Sequence, residues 1–354
     1  MMDWQAYRQS LACTVKRGDH PALALLLIGF PVWQGVVRTG RLLDHAVAPE
    51  HRDQPVTAPV FIVGHQRSGT TLLHRLLSLD PRFSAPLAWQ LALPAVSLYR
   101  SVERIRRLGV GKGAVRRLEE RLFSGFSTVH ETRWEVPEED DWLFLHAAAS
   151  PTLDYLTADP QITDRYWLGD DLPDAVRHRA MHWYRRSLQR HLYATDPTAT
   201  LLSKNPHFTG WMNTLNLTFP DARFVWMHRD PAQAIASRLS MLRDAWHRTA
   251  PVQGRRDPRI HLAFQTSCAL YRRAEAVWPT LPAGRRWRVE FDDLVADPDR
   301  AVRALYAHFG WSVPEALRRG LAGVQEEADH RVPQVTAKLR HFGIRPDDLA
   351  EAMS

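Results

Sequence analysis

Val60-Phe61-Ile62-Val63-Gly64-His65-Gln66-Arg67-Ser68-Gly69-Thr70-Thr71-Leu72-Leu73 is the stretch on which the reading of this chain turns. Its first four residues are β-branched or aromatic and are bounded by Pro59 and Gly64, the pattern of a short buried strand. Leu72, Leu73, Leu76 and Leu77 follow at helical spacing. The unit is therefore strand, glycine-bounded loop, helix. A loop of that kind turns backbone N–H groups toward one point at the start of a helix, where phosphate or sulfate oxygens bind.

Gly64 and Gly69 have the spacing of the first part of the nucleoside-triphosphate loop G-x-x-x-x-G-K-[ST], but Thr70 stands where the lysine belongs. Arg67, inside the loop, supplies the cation instead. The loop still calls for an anion, while a kinase or nucleotide hydrolase loses its main ligand to the β- and γ-phosphates.

A second unit of the same form lies downstream. Arg223-Phe224-Val225-Trp226-Met227 reads as a strand, His228-Arg229-Asp230-Pro231 as a turn, and Ala232 to Leu242 as a helix with Pro231 at its first position. Thr200 to Ser203 and Trp287 to Phe291 read as further strands, and Arg177 to Tyr193 and His261 to Trp278 as helices. Short strands alternating with helices predict an α/β domain with a central, mostly parallel sheet flanked by helices, a three-layer fold of the P-loop type. Residues 1–55 read as a helical N-terminal extension and residues 56–354 as one catalytic domain.

The composition of the 354 residues is that of a folded globular chain, 45% hydrophobic and 24% charged. Disordered, collagen-like and disulfide-framework classes are excluded. Cys13 and Cys268 stand far apart and read as free thiols in a reducing, cytoplasmic setting. The 46 Lys+Arg against 39 Asp+Glu give a net +7, which favours polyanionic ligands. Only Lys16, Lys112, Lys204 and Lys338 are lysines, so Lys204, beside Asn205-Pro206, stands out.

Pro21 to Val37 is apolar but interrupted by Pro31 and Gln34, too short and broken for a spanning helix. Arg38, Arg41 and Asp44 argue against a signal peptide. Two readings remain, a helix packed on the domain and a peripheral membrane contact through residues 21–37. No Cys/His cluster has zinc spacing, no Asp pair suits Mg²⁺, and nothing points to nucleic acid. The oligomeric state is not legible.

Arg67-Ser68-Gly69-Thr70-Thr71, followed by its leucine-rich helix, resembles the 5′-phosphosulfate loop of sulfotransferases that use 3′-phosphoadenosine 5′-phosphosulfate (PAPS). In that family a proline opens the loop, and here Gln66 replaces it. The family's second hallmark is an Arg, an Asp-Pro or Asn-Pro, and a Ser eight residues beyond the Arg; Arg229-Asp230-Pro231 and Ser237 match it. Lys204-Asn205-Pro206 with Phe219-Pro220-Asp221-Ala222-Arg223-Phe224, and Phe291-Asp292-Asp293-Leu294 with Asp297-Pro298, are similar to segments of the bacterial and Golgi branches, with Phe291 for the usual tyrosine.

The resemblance, over about residues 59 to 345, implies sulfuryl transfer from PAPS to a hydroxyl, leaving 3′,5′-adenosine bisphosphate, with no metal. It places Arg67, Ser68, Gly69, Thr70 and Thr71 around the phosphosulfate and Arg229 and Ser237 on the 3′-phosphate, with Arg67 and Lys204 as charge stabilisers. These two cradles are expected as separated sites at two strand-to-helix junctions. The base is open: many relatives carry a Glu where Gln90 stands, so His130, ahead of Glu131, is the candidate. Glu138, Glu139, Asp140 and Asp141 read as a solvated acidic helix start, and His65 and His74 flank the loop within reach of it, although histidines on a helix face usually point to solvent. The acceptor is expected to be a lipophilic or small-molecule alcohol or phenol. The alternatives are a P-loop kinase or hydrolase and a noncatalytic nucleotide- and membrane-binding relative of the family.

Overall fold

The computed structural model describes residues 2–108, 133–247, 250–255, 257–328 and 338–354. Five strands form one sheet: β1 (Val60–Gly64), β2 (Phe83–Ser84), β3 (Thr200–Lys204), β4 (Arg223–His228) and β5 (Arg286–Glu290). Their order is β2-β3-β1-β4-β5 and every pairing is parallel. Four strands fall where the sequence pattern puts them. The two-residue β2, at the edge, is too short to carry a period and was not predicted.

A parallel sheet must be covered on both faces, and β1 divides its side chains accordingly. Phe61 and Val63 enter a core with Tyr184, Leu188, Phe208, Phe219 and Trp226. Val60 and Ile62 enter the opposite core with Leu73, Leu76, Val225, Leu305 and Tyr306. This is the three-layer arrangement the sequence predicts. Because β3 and β4 flank β1 on opposite sides, the chain crosses over above the C-terminal end of β1, the usual position of a ligand crevice in open α/β sheets.

The first residues form α1 (Trp4–Arg17) and α2 (His20–Ala24), which runs through a π-turn at Leu25–Gly29 into α3 (Phe30–Val47). The sequence reads this segment as broken; instead the wider π-turn accommodates Pro31, which has no N–H to donate. Among the described residues, His20–Val47 is one helix long and apolar enough, by length and composition, to cross a membrane. One of its faces belongs to the protein. Trp33 Nε1 donates to the Ala92 carbonyl, the Arg41 guanidinium lies 4.0 Å over the Trp183 ring, and buried Asp44 accepts from the Val96 and Ser97 backbone and from Arg190 Nε at 2.8 Å. The opposite face leaves Leu25, Ile28, Val32, Leu42, Leu43 and Val47 exposed.

Five further helices frame the site: α4 (Thr70–Leu77), α5 (Ala88–Ala92), α6 (Val96–Arg107), α7 (Asp174–Ala194) and α8 (Pro231–Trp246). A sixth, α9 (Pro258–Val277), packs on α8.

Candidate active site

The loop between β1 and α4 is shaped by what its two glycines avoid. A Cβ on Gly64, at φ +143, would stand 2.4 Å from the Met227 carbonyl oxygen. On Gly69, at φ +85, it would stand 2.7 Å from the Phe291 ring. Between them Arg67 takes a left-handed φ of 67, a conformation that costs a non-glycine residue about 1–3 kcal/mol and persists only where the surroundings impose it. Here the surroundings are explicit. The Arg67 carbonyl accepts from Arg229 Nη1 at 2.8 Å, and Arg67 Nε donates to Ser237 Oγ at 3.1 Å.

The two motifs therefore meet: the Arg67 side chain reaches Ser237 and its carbonyl reaches Arg229.

Gln66, in place of the family's proline, stiffens the loop by other means. Its Oε1 accepts from Arg238 Nε at 3.2 Å, and its amide nitrogen lies 3.3 Å from His207 Nε2. Arg238 is itself buried, 4.3 Å over Trp167, and donates to the Ala263 carbonyl and Ser267 Oγ. His65 donates through Nδ1 to the Gln66 carbonyl at 2.6 Å and stacks on Tyr271. Burial pushes its pKa down to about 3, so the ring is neutral.

At the second junction Asp230 caps α8 by accepting from the Gln233 N–H at 2.9 Å, and Pro231 occupies the first helical turn. The cap fixes the preceding residue, Arg229, whose carbonyl accepts from the Tyr271 hydroxyl at 3.0 Å. Its guanidinium lies 4.1 Å over the Phe291 ring. Phe291 thus packs between Gly69 and Arg229, a task that needs a ring and no hydroxyl. Burial first, and the Arg67 charge second, lower the Arg229 pKa. The Arg67 charge thus bears on Arg229, offset in part by Asp292 and Asp230.

Lys204, at the end of β3, is not a surface cation: it is 1% exposed. Its Nζ donates to Glu139 Oε1 at 2.8 Å and lies 3.4 Å from Thr71 Oγ1, at the start of α4, with Glu138 at 3.7 Å. The acidic run 138–141 is accordingly enclosed rather than solvated, with Glu138, Asp140 and Asp141 buried and Glu139 partly so, because each carboxyl group has a partner within the fold. Asp140 accepts from the Tyr184 hydroxyl, and Asp141 accepts from Ser150 and Thr152 and stands 3.1 Å from His207 Nδ1. His74 is buried too, and its pKa is pushed down to about 3, first by burial and then by Lys204.

Of the residues predicted for the site, the structure brings Arg67, Ser237 and Arg229 into direct contact and joins Lys204 to Thr71. Ser68, Gly69 and Thr70 complete the turn into α4. Gln90 is structural: its Oε1 accepts from the Leu87 N–H at 2.8 Å and closes the first turn of α5. His130 and Glu131 lie outside the described residues. Sequence reasoning missed Arg238, Tyr271 and Glu139, none of which sits in a motif. The only signal was that Arg238 adjoins Ser237 on an otherwise apolar helix face.

A parallel five-stranded sheet with a glycine-bounded loop after β1 and an Arg–Ser pair after β4 is a P-loop-like arrangement. The profile of the sulfotransferase family matches residues 59–315, and the chain belongs to that family. It is thus an enzyme of sulfuryl transfer. The omega-hydroxy-beta-dihydromenaquinone-9 sulfotransferase Stf3 of Mycobacterium bovis is 26% identical over 285 residues, covering 79% of this chain and 67% of the relative. The protein of the same name from Mycobacterium tuberculosis matches to the same extent. Among solved structures, sulfotransferase STF9 from Mycobacterium avium superposes with a TM-score of 0.73 at 18% identity, covering 99% of this chain and 90% of that one. STF1 from Mycobacterium tuberculosis gives 0.68 at 21%, covering 100% and 93%. Both share the fold.

Proposed function

We propose that the chain transfers the sulfuryl group of PAPS to the hydroxyl of a lipophilic acceptor by in-line displacement. The observation that carries the reading is the 3.1 Å contact from Arg67 Nε to Ser237 Oγ, which puts both anion motifs in one site. Arg67, Ser68, Gly69, Thr70 and Thr71 hold the 5′-phosphosulfate through the loop N–H groups and the α4 terminus, and Arg229 and Ser237 hold the 3′-phosphate. The residues suit a bisphosphate: Gly64 and Gly69 keep the cradle free of side chains, and the Arg67 and Arg229 charges fall together in it. Arg67 and Lys204 meet the charge that builds on the transferred group and the leaving oxygen. The base that sequence reasoning supplies is His130 or Glu131.

A lipophilic acceptor is supported by the relatives, whose name specifies a hydroxylated menaquinone, and by the exposed apolar face of α2–α3. Residues 1–55 then serve as an extension that touches the cytoplasmic membrane surface through residues 21–37, and 56–354 as the catalytic domain. A kinase or hydrolase is disfavoured by Thr70 in the lysine position.

Two experiments test the reading. Calorimetry should show 3′,5′-adenosine bisphosphate binding far more tightly than ATP with Mg²⁺. Incubation with PAPS labelled in sulfur and a lipid extract should yield a labelled lipid. The opposite ranking of the two nucleotides defeats the reading, and labelling of nothing leaves the noncatalytic alternative.

A further inference from the structure

The four acidic side chains after Pro137 all have partners inside the fold. Glu138 Oε1 accepts from the Glu139 backbone N–H, Asp140 takes the Tyr184 hydroxyl, and Asp141 takes two hydroxyls and faces His207. Glu139 is the most accessible of the four: its side chain keeps 17% of its surface exposed while Lys204, which it contacts at 2.8 Å, has 1%. That same ammonium lies 3.4 Å from the Thr71 hydroxyl in the donor loop. One lysine thus separates a reachable carboxylate from the place where the phosphosulfate is read to sit.

Among the described residues, the two histidines near Lys204 are both enclosed and unsuited to act as the base. His74 is sealed in the core with its pKa at about 3, and His207 is enclosed between Asp141 and Gln66 with 2% exposed.

We propose that Glu139 takes the proton of the acceptor hydroxyl, and that Lys204 leaves Glu139 for the leaving 5′-phosphate oxygen when the donor binds. The inference rests on the PAPS reading above. A carboxylate held by an ammonium is a weak base, because the adjacent positive charge favours its ionised form. Drawing Lys204 toward the donor removes that charge and raises the basicity of Glu139 only once the donor is seated, so donor binds first. In the transfer, the acceptor O–H bond breaks and its proton passes to a Glu139 carboxylate oxygen. The electron pair left on the acceptor oxygen forms the new bond to sulfur. The bond from sulfur to the 5′-phosphate oxygen breaks with its pair on that oxygen, where Lys204 neutralises it. Glu139 returns its proton to water after the products leave.

Glu139→Gln tests both halves. With Lys204 released from its counter-ion, 3′,5′-adenosine bisphosphate should bind the variant about three- to tenfold more tightly, since a freed ammonium adds a charge-assisted hydrogen bond. Transfer from labelled PAPS to geranylgeraniol in detergent should fall by about 10²–10⁴-fold, the ordinary contribution of a general base. Equal or weaker bisphosphate binding overturns the exchange of Lys204. Transfer within threefold of the unaltered enzyme overturns Glu139 as the base and returns that role to His130 or Glu131. If the Gln variant does not fold, Glu139→Asp shortens the reach by one methylene with the charge kept: transfer should drop at unchanged donor KM, and equal transfer overturns the proposal. An unaltered enzyme that binds no bisphosphate defeats instead the donor reading beneath it.

Discussion

Replacing Arg229 with alanine is the sharpest probe of the donor site, because that one guanidinium does two separable things. It is read to hold the 3′-phosphate, and it braces the loop by donating to the Arg67 carbonyl at 2.8 Å. A hydrogen bond to a charged partner contributes about 1.5–3 kcal/mol and a bond to a neutral carbonyl about 0.5–1.5 kcal/mol. Loss of both costs about 3 kcal/mol, on the order of a hundredfold in the Kd of 3′,5′-adenosine bisphosphate. Adenosine 5′-monophosphate has no 3′-phosphate, so against it the same variant should lose only the brace, about fivefold. Arg229→Lys keeps a point charge without the planar fork and should fall between the two. Titration calorimetry of both nucleotides against the three proteins closes the cycle. A loss below threefold for the bisphosphate, or an equal loss for both nucleotides, would refute the assignment of Arg229 to the 3′-phosphate.

Gly69→Ala forces a side chain into φ +85 and to within 2.7 Å of the Phe291 ring; bisphosphate binding should weaken at least tenfold, to an order of magnitude, and calorimetry on the folded variant checks it. Stability should fall steeply with acidification: buried His65, His74, His146 and His191 are held at about 3 by desolvation, whereas buried Asp140 and Asp154 are pushed up to about 7 by the same cause. Below pH 6.5 the histidines charge only in the unfolded chain, which removes stability, and the two aspartates, protonated earlier in the folded chain, return part of it. The net difference of two protons gives about 3 kcal/mol lost per pH unit between about pH 6 and 4.5, and urea unfolding that is flat over that range counts against it. Ile28→Asp with Val32→Asp, both on the exposed face of the N-terminal helices, should leave the unfolding free energy within about 0.5 kcal/mol of its starting value and abolish pelleting with anionic liposomes. Undiminished pelleting removes residues 21–37 from membrane contact.

What the sequence revealed and what it hid divide by the distance over which information must act. The β1 strand, its two glycines and the α4 leucines lie within a dozen positions, and period and turn chemistry suffice to read them. The same holds for Arg229, Asp230 and Pro231, where a cap and a first-turn proline announce the helix. Two motifs in the right order then picked out Arg67, Arg229 and Ser237, which the fold brings together. What stayed hidden are contacts made across the sheet. Arg67 meets Ser237 across 170 positions, and Arg238 meets Gln66 across 172. Nothing local tells a buried arginine from an exposed one.

The acidic run was misread for a related reason. Glu138 to Asp141 has the composition of a solvated helix start, and only the burial of Lys204, Tyr184 and His207 beside it makes those charges interior. A buried lysine without a counter-charge is costly, and one ringed by carboxylates is tolerable. The rarity of lysine in this arginine-rich chain was therefore a fair pointer to Lys204 but could not say what faced it. Glu139 became visible once β3 set Lys204 between it and Thr71, and the proposed exchange of Lys204 rests on that juxtaposition.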